Sequence, residues 1–185
     1  MSVEKYQFTL EEDDYLTHQL YTASQSKSAA NRRKVRWFLM TGIMFLFSFF
    51  FYQKGNMWLT IYFAIIGVIV LILYPLYLKW LYQRHYRRYI KDKFSDKFGK
   101  TITLELYDDQ LISKDEDDTQ SKFAYRTVDH ITELPKHFLI KVKSGVALII
   151  PKERVNDPEQ LKNKLTFISD FANAAYLDQQ KWKWK

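Results

Sequence analysis

The chain has 185 residues, 26% of them charged and 17% aromatic, with a formal charge of +7 and no cysteine. The lack of cysteine excludes a disulfide framework, a thiolate metal site and a cysteine nucleophile. The positive balance invites either nucleic acid or a membrane surface as partner, and the placement of the charges along the chain separates the two.

Tyr6, Phe8 and Leu10 alternate with Lys5, Gln7 and Thr9, as a half-buried strand does. Thr9 and Glu12 have capping-box spacing, so a helix is expected from about Glu11 to Ser24, with Tyr15, Leu16, Leu20 and Tyr21 as its apolar stripe. The polar stretch from Ala23 to Asn31 lets this helix continue or fray. One short strand is not stable alone, so it is expected to pair with a sheet formed by the C-terminal part.

Two uncharged apolar runs follow, Trp37 to Tyr52 and Met57 to Leu78. The second has twenty-two residues, about 33 Å as a helix, enough to cross a hydrocarbon layer of about 30 Å. Its thirteen Leu, Ile, Val and Phe residues favour insertion by roughly 4 to 8 kcal/mol before polar and end effects. The first run has sixteen residues, including Thr41 and Ser48, and at about 24 Å it needs flanking residues, local thinning or a partner to span. Nearly all faces of Ile61 to Leu73 are apolar, unlike the single stripe of a helix buried in a soluble protein. The mostly polar residues ahead of Trp37 argue against a cleavable signal. Trp37, Tyr52, Trp58 and Tyr77 fall where interfacial anchors are expected.

Lys27, Arg32, Arg33, Lys34 and Arg36 precede the hairpin; eight basic and two acidic residues follow it between Lys79 and Lys100, and only Lys54 lies in the connection. The flanks together exceed the chain's +7, so the remainder is net acidic and the nucleic-acid reading loses its premise. A Lys or Arg near an anionic leaflet is worth about 1 kcal/mol, which makes lipid attraction a sufficient account. Arg32, Arg33, Lys34, Arg36, Lys79, Arg84, Arg87 and Arg88 are accordingly read as contacts to anionic headgroups of the lipid bilayer. Positive charge on both outer flanks predicts both termini on the cytoplasmic side of the cell membrane.

Beyond the hairpin, Tyr82, Tyr86, Ile90, Phe94 and Phe98 recur every fourth residue, with Arg and Lys on the other face, predicting an amphipathic stem. From Thr101 the period falls to two. Ile102 to Leu106, Leu111-Ile112, Phe123 and Tyr125, Val128 to Leu134, Phe138 to Val142 and Val146 to Ile150 predict about six strands. Asp108-Asp109 and Ser144-Gly145 are turn signals, and Pro151 ends the last strand. Asn156 or Asp157 is expected to cap a final helix with Pro158 in its first turn, carrying one stripe of Leu161, Leu165, Ile168, Phe171, Ala172 and Ala175. The predicted organisation is an N-terminal strand and helix (1–30), a basic flank and hairpin (31–78, spans 37–52 and 57–78), the stem (79–100), a sheet-and-helix domain (101–177) and a basic aromatic tail (178–185). Trp182 and Trp184 in that tail suit either a membrane interface or a frayed end.

Chemical motifs are sparse. His18, His85, His130 and His137 are scattered, with no glycine-rich phosphate loop and no Gly-x-Ser-x-Gly elbow, so no catalytic, metal or cofactor residue is assigned and no cofactor is expected. Asp115 to Asp118 invites calcium, but Gln120 and Arg126 stand where an EF-hand needs glycine and glutamate, so a solvated loop is expected.

The opening Tyr6-Gln7-Phe8-Thr9-Leu10-Glu11-Glu12-Asp13, the central hairpin and the run from Ile102 through Leu148-Ile149-Ile150-Pro151-Lys152 to the final helix resemble the YcxB-like family, small bacterial membrane proteins of unassigned role. The resemblance implies a domain similar to bacterial pleckstrin-homology-like domains and supplies no catalytic residues. The expected fold class is α+β: a two-helix transmembrane hairpin plus a cytoplasmic pleckstrin-homology-like antiparallel sheet with a C-terminal helix. The expected function is that of a membrane-anchored, noncatalytic binding or regulatory module with a protein partner. The alternative is an accessory or assembly subunit of a larger membrane complex, with Gly67 and Ala64 allowing close helix approach.

Overall fold

The structure, a computed structural model, describes residues 3–117 and 119–184. Asp118 of the acidic loop and Lys185 of the tail lie outside the described residues. In chain order the elements are β1 (Glu4–Thr9), α1 (Glu12–Gln25), α2 (Lys27–Gln53), α3 (Met57–Phe94), β2 (Thr101–Leu106), β3 (Gln110–Lys114), β4 (Gln120–Ala124), β5 (Val128–Glu133), β6 (His137–Val142), β7 (Ala147–Pro151), α4 (Pro158–Ala172) and β8 (Ala175–Asp178). They divide into a sheet unit, Met1–His18 with Tyr89–Lys183, and a helical unit, Gln19–Arg88 with Trp184–Lys185. The class is α+β, with two long apolar helices preceding the bulk of the sheets.

In the sheet unit β1 pairs antiparallel with β2, setting Tyr6 opposite Leu104 and Phe8 opposite Ile102. The N-terminal strand thus joins the C-terminal sheet across the whole hairpin insertion. The strands form two four-stranded sheets, ordered β1-β2-β3-β4 and β7-β6-β5-β8. Gly145, at φ 95°, supplies the left-handed residue that the β6–β7 turn needs. Asp157 caps α4 by accepting the Gln160 N–H at 2.9 Å, and Pro158 occupies the first turn. The inner stripe of α4, Leu161, Leu165 and Ile168, is fully buried, as are Ile131, Leu134 and Ile140 of the second sheet region.

Three local expectations are corrected. The box at the start of α1 does not use Thr9 and Glu12: Asp14 reaches back to accept the Glu11 N–H at 2.7 Å, placing the N-cap two residues later. Tyr125 leaves the β4 strand for a 3-10 turn, Tyr125–Thr127. The apolar stripe of α4 does not run on to Ala175, because Asn173 turns left-handed at φ 50°. Its N–H reaches Asp170 O at 3.1 Å and the Ala174 N–H reaches Ser169 O at 2.8 Å, a Schellman closure that ends the helix. The chain then extends as β8, parallel to β5 with Tyr176 opposite Ile131, so the second sheet is mixed rather than antiparallel.

In the helical unit α2 and α3 reverse over a short loop. Gly55, at φ 73°, and Asn56 return N–H bonds to Tyr52 O and Phe51 O, each at 3.0 Å, closing α2 as Asn173 closes α4. Asn56 then accepts the Leu59 N–H at 3.2 Å and opens α3. Between the helices, Ser48 Oγ donates to Thr60 O at 2.9 Å and Phe51 stacks on Phe63 at 5.5 Å. A Cβ on Gly67 would meet the Phe45 ring at 3.2 Å, so the close approach allowed by this glycine is taken up inside the hairpin. The stretches Ala30–Gln53 and Met57–Lys97 are long and apolar enough to cross a membrane, and only 6% of the apolar window of each is buried.

Candidate functional site

The basic residues ahead of the hairpin and the middle of α3 converge on two adjoining clefts within the helical unit. The larger, about 630 Å³, is lined by Arg32, Arg33 and Arg36 of α2 and by Tyr74, Leu78, Leu81, Tyr82 and His85 of α3. The smaller, about 270 Å³, is lined by Arg33, Lys34 and Trp37 against Tyr74, Pro75, Leu78, Lys79, Tyr82 and Trp184, with Ala30 at its edge. Arg33 faces a pair of rings that lie 6.0 Å apart, its Cζ 5.3 Å from the Tyr82 centroid and 5.5 Å from that of Trp184. This double cation–π contact fixes the guanidinium direction. Arg32 Nη2 donates to Ser28 Oγ at 3.0 Å, one turn earlier.

Of the residues assigned to the membrane surface from sequence, Arg32, Arg33, Lys34, Arg36 and Lys79 come together here. Arg84, Arg87 and Arg88 are exposed on α3 and line neither cleft; the Arg84 guanidinium lies 5.1 Å over Trp80. Among the anchors, Trp37 lines the smaller cleft, Tyr77 sits 6.1 Å from Trp80, and Tyr52 and Trp58 are exposed at the hairpin loop, Trp58 by 87%. Sequence reasoning did not assign Tyr74 or His85 to any site, and it placed Tyr82 on the stem and Trp184 in the tail without bringing them to these cations. Tyr74, Leu78, Tyr82 and His85 recur at steps of four, four and three residues along α3, the signal of one helix face pointing into the cleft. No such local signal exists for Trp184.

The sheet unit has its own groove of about 350 Å³, floored by Phe8, Leu10, Ile102, Leu104 and Leu148 and rimmed by Lys97, Lys100, Asp115 and Asp117. Lys100 donates to Asp117 on this rim, and that bond raises the pKa of the ammonium. Asp115 Oδ1 accepts the Thr119 N–H at 2.9 Å, so the acidic segment is a hairpin loop tied to itself.

Two of the buried carboxylates of this unit, Asp14 and Glu133, tie together segments far apart in the chain. Asp14 accepts from Arg154 and has His137 Nε2 at 2.7 Å; Arg154 also donates to Thr9 O at 2.9 Å. Burial opposes ionisation of Asp14, but the bonds from His137, the Glu11 N–H and Arg154 outweigh it and hold the carboxyl below its usual range. Glu133 takes Lys152 at 2.6 Å, Lys162 at 3.3 Å and the Tyr176 hydroxyl at 2.9 Å. Its carboxyl is likewise held low against burial by Lys152, Tyr176 and Lys162, while burial and the Glu133 contact push the Tyr176 hydroxyl up. Neither carboxylate lines the groove. His130 bonds its neighbour Asp129 at 2.9 Å. Among the described residues no group of three or more His, Asp or Glu is placed to hold a metal ion.

A family model described as YcxB-like protein matches residues 106–165, from the end of β2 into α4. This is the family the sequence motifs resemble, and the match lies wholly within the sheet unit. Neither a curated protein nor a solved structure matches the chain.

Proposed function

We propose, from a YcxB-like sheet unit joined to two helices long and apolar enough to cross a membrane, that the hairpin anchors the protein in the cell membrane. The sheet unit then serves on the cytoplasmic side as a noncatalytic binding or regulatory module. The observation that carries the reading is the exposure of the apolar hairpin: Phe38, Leu46, Ile61, Ile72 and Leu76 are all more than half exposed. Water is a poor solvent for such a surface, and a bilayer satisfies it at no cost to the internally bonded backbone. The weight of Lys and Arg outside both runs supports a cytoplasmic location for both ends.

The noncatalytic part of the reading is supported by what the buried polar groups do. Asp14 commits its oxygens to Arg154 and His137, and Glu133 to Lys152, Lys162 and the Tyr176 hydroxyl; these contacts tie distant segments, and both carboxylates lie away from the groove. Two sheets with α4 beside β5 support the pleckstrin-homology-like resemblance, with β8 as an addition to it. Alkaline carbonate extraction of membranes tests anchorage, with the protein expected in the pellet. A cysteine introduced at Val3 or at Lys183 is the sole thiol of the chain. Both thiols are expected to resist an impermeant maleimide in intact cells and to react after lysis. Release by carbonate, or labelling in intact cells, overturns the reading.

A further inference from the structure

We infer that the paired clefts at the basic end of the hairpin form a defined site for one anionic phospholipid, its phosphate held at Arg33. The inference rests on the membrane reading above and goes beyond it, because diffuse attraction of basic residues to a leaflet needs no built pocket. Here there is one. Arg32, Arg33, Arg36, Lys34 and Lys79 line the two clefts, and no Asp or Glu lines either. Cations gathered without a carboxylate repel one another, Arg32 and Arg36 most directly as a like-charged pair one turn apart, and an entering anion relieves this.

The donors are specific as well as charged. Arg33 Nη1, Trp37 Nε1 and Trp184 Nε1 are buried without a hydrogen-bond partner among the described residues, and all three residues line the smaller cleft. Buried N–H groups are normally satisfied, so three unmet donors around one cleft call for an acceptor supplied from outside. A phosphate oxygen entering beside the Trp184 indole meets that need. Tyr82 and Trp184 already fix Arg33, so the ordering cost of its fork is met before binding. The remaining walls choose between a lipid and a free anion. Tyr74, Pro75 and Leu78 belong to the apolar run of α3 and give the site an oily side continuous with the hairpin, which suits acyl chains and is of no use to inorganic phosphate.

The test is native mass spectrometry of the full chain in mild detergent, titrated with phosphatidylglycerol, with phosphatidylcholine, or with phosphatidylglycerol plus millimolar inorganic phosphate. One phosphatidylglycerol is expected to stay bound in preference to phosphatidylcholine, without competition from phosphate. R33Q is expected to weaken it at least tenfold, whereas R84Q, the same charge loss outside the clefts, changes it less than twofold. W184A, which removes a wall and a donor without touching charge, is expected to follow R33Q and stands in should R33Q misfold. Equal weakening by R33Q and R84Q, equal retention of the two lipids, or displacement by inorganic phosphate overturns the site. These outcomes are read in detergent and are distinct from carbonate release, which overturns the anchorage itself.

Discussion

Ile72 of α3 and Leu165 of α4 are side chains of the same size and polarity, yet the first is 61% exposed and the second is fully buried. Each lies in a helix, but α4 is apolar on one stripe and polar elsewhere, whereas α3 through Leu73 is apolar on almost every face. The sheet unit hides its apolar surface inside itself and therefore needs long-range partners: β1 for β2, β5 for β8, Asp14 for His137. The helical unit satisfies its backbone locally, within each helix, and leaves its apolar surface to the surroundings. Stability in the two units should accordingly answer to different perturbations.

Truncation breaks or sustains this contrast most directly. Leu165→Ala empties a fully buried position and is expected to destabilise the sheet unit by about 2–5 kcal/mol. Ile72→Ala, by contrast, is expected to leave the sheet unit's thermal melting and protease resistance unchanged. Comparable losses from both would show that the helical run is part of the sheet unit's core.

Acid separates the units next. The folded pKa of Asp14 lies below its unfolded value, so its contribution is complete above about pH 4 and is lost as pH falls further. Glu133 acts in the same direction. His18 titrates earlier: burial, aided by Lys141, lowers it from 6.5 to about 4, so the unfolded chain binds a proton that the folded one refuses. Stability of the sheet unit is expected to decline from pH 6.5 toward 4, and more steeply below. His18→Gln should flatten the upper limb alone. Asp14→Asn should shrink the lower limb and cost about 3 kcal/mol at pH 7, the lower end for a broken buried pair because Arg154 keeps some contact with water. Denaturant melts across this range measure both limbs, and an unchanged lower limb in Asp14→Asn would remove the ion pair from the account of acid sensitivity.

The same contrast explains what could be read in advance. The hairpin was legible because an unbroken apolar run needs no knowledge of a partner, and six strands after Thr101 were legible because a period of two is local. β8 was not: four residues carry too little pattern, and they follow a helix whose stripe continues in register to Ala175. The clue lay in Asn173, a residue that tolerates the left-handed turn. Asn173→Ala is expected to cost about 1 kcal/mol and Asn173→Gly close to nothing. Equal losses in the two would shift the stop to side-chain contacts. Of the basic cleft, the cations were legible as a cluster, but its aromatic wall was not, since Trp184 and Arg33 are brought together only by folding. Asp14 and His137, 123 residues apart, were hidden for the same reason.

The smallest effect sharpens the comparison furthest, because it sets one polar bond in each unit side by side. Tyr176→Phe removes a hydroxyl that bonds the buried carboxylate of Glu133 and is expected to cost about 1.5–3 kcal/mol, as bonds to charged groups do. Ser48→Ala removes the bond to Thr60 O that links α2 to α3, and in a bilayer such interhelical bonds average about 0.6 kcal/mol. The Thr60 carbonyl keeps its place in the helix ladder when Ser48 is gone, whereas Glu133 keeps a charge it must still neutralise. Thermal melts for the first variant and SDS titration of detergent-solubilised protein for the second supply the two numbers. A Ser48→Ala loss as large as that of Tyr176→Phe would mean that the hairpin, too, depends on buried polar contacts rather than on its solvent.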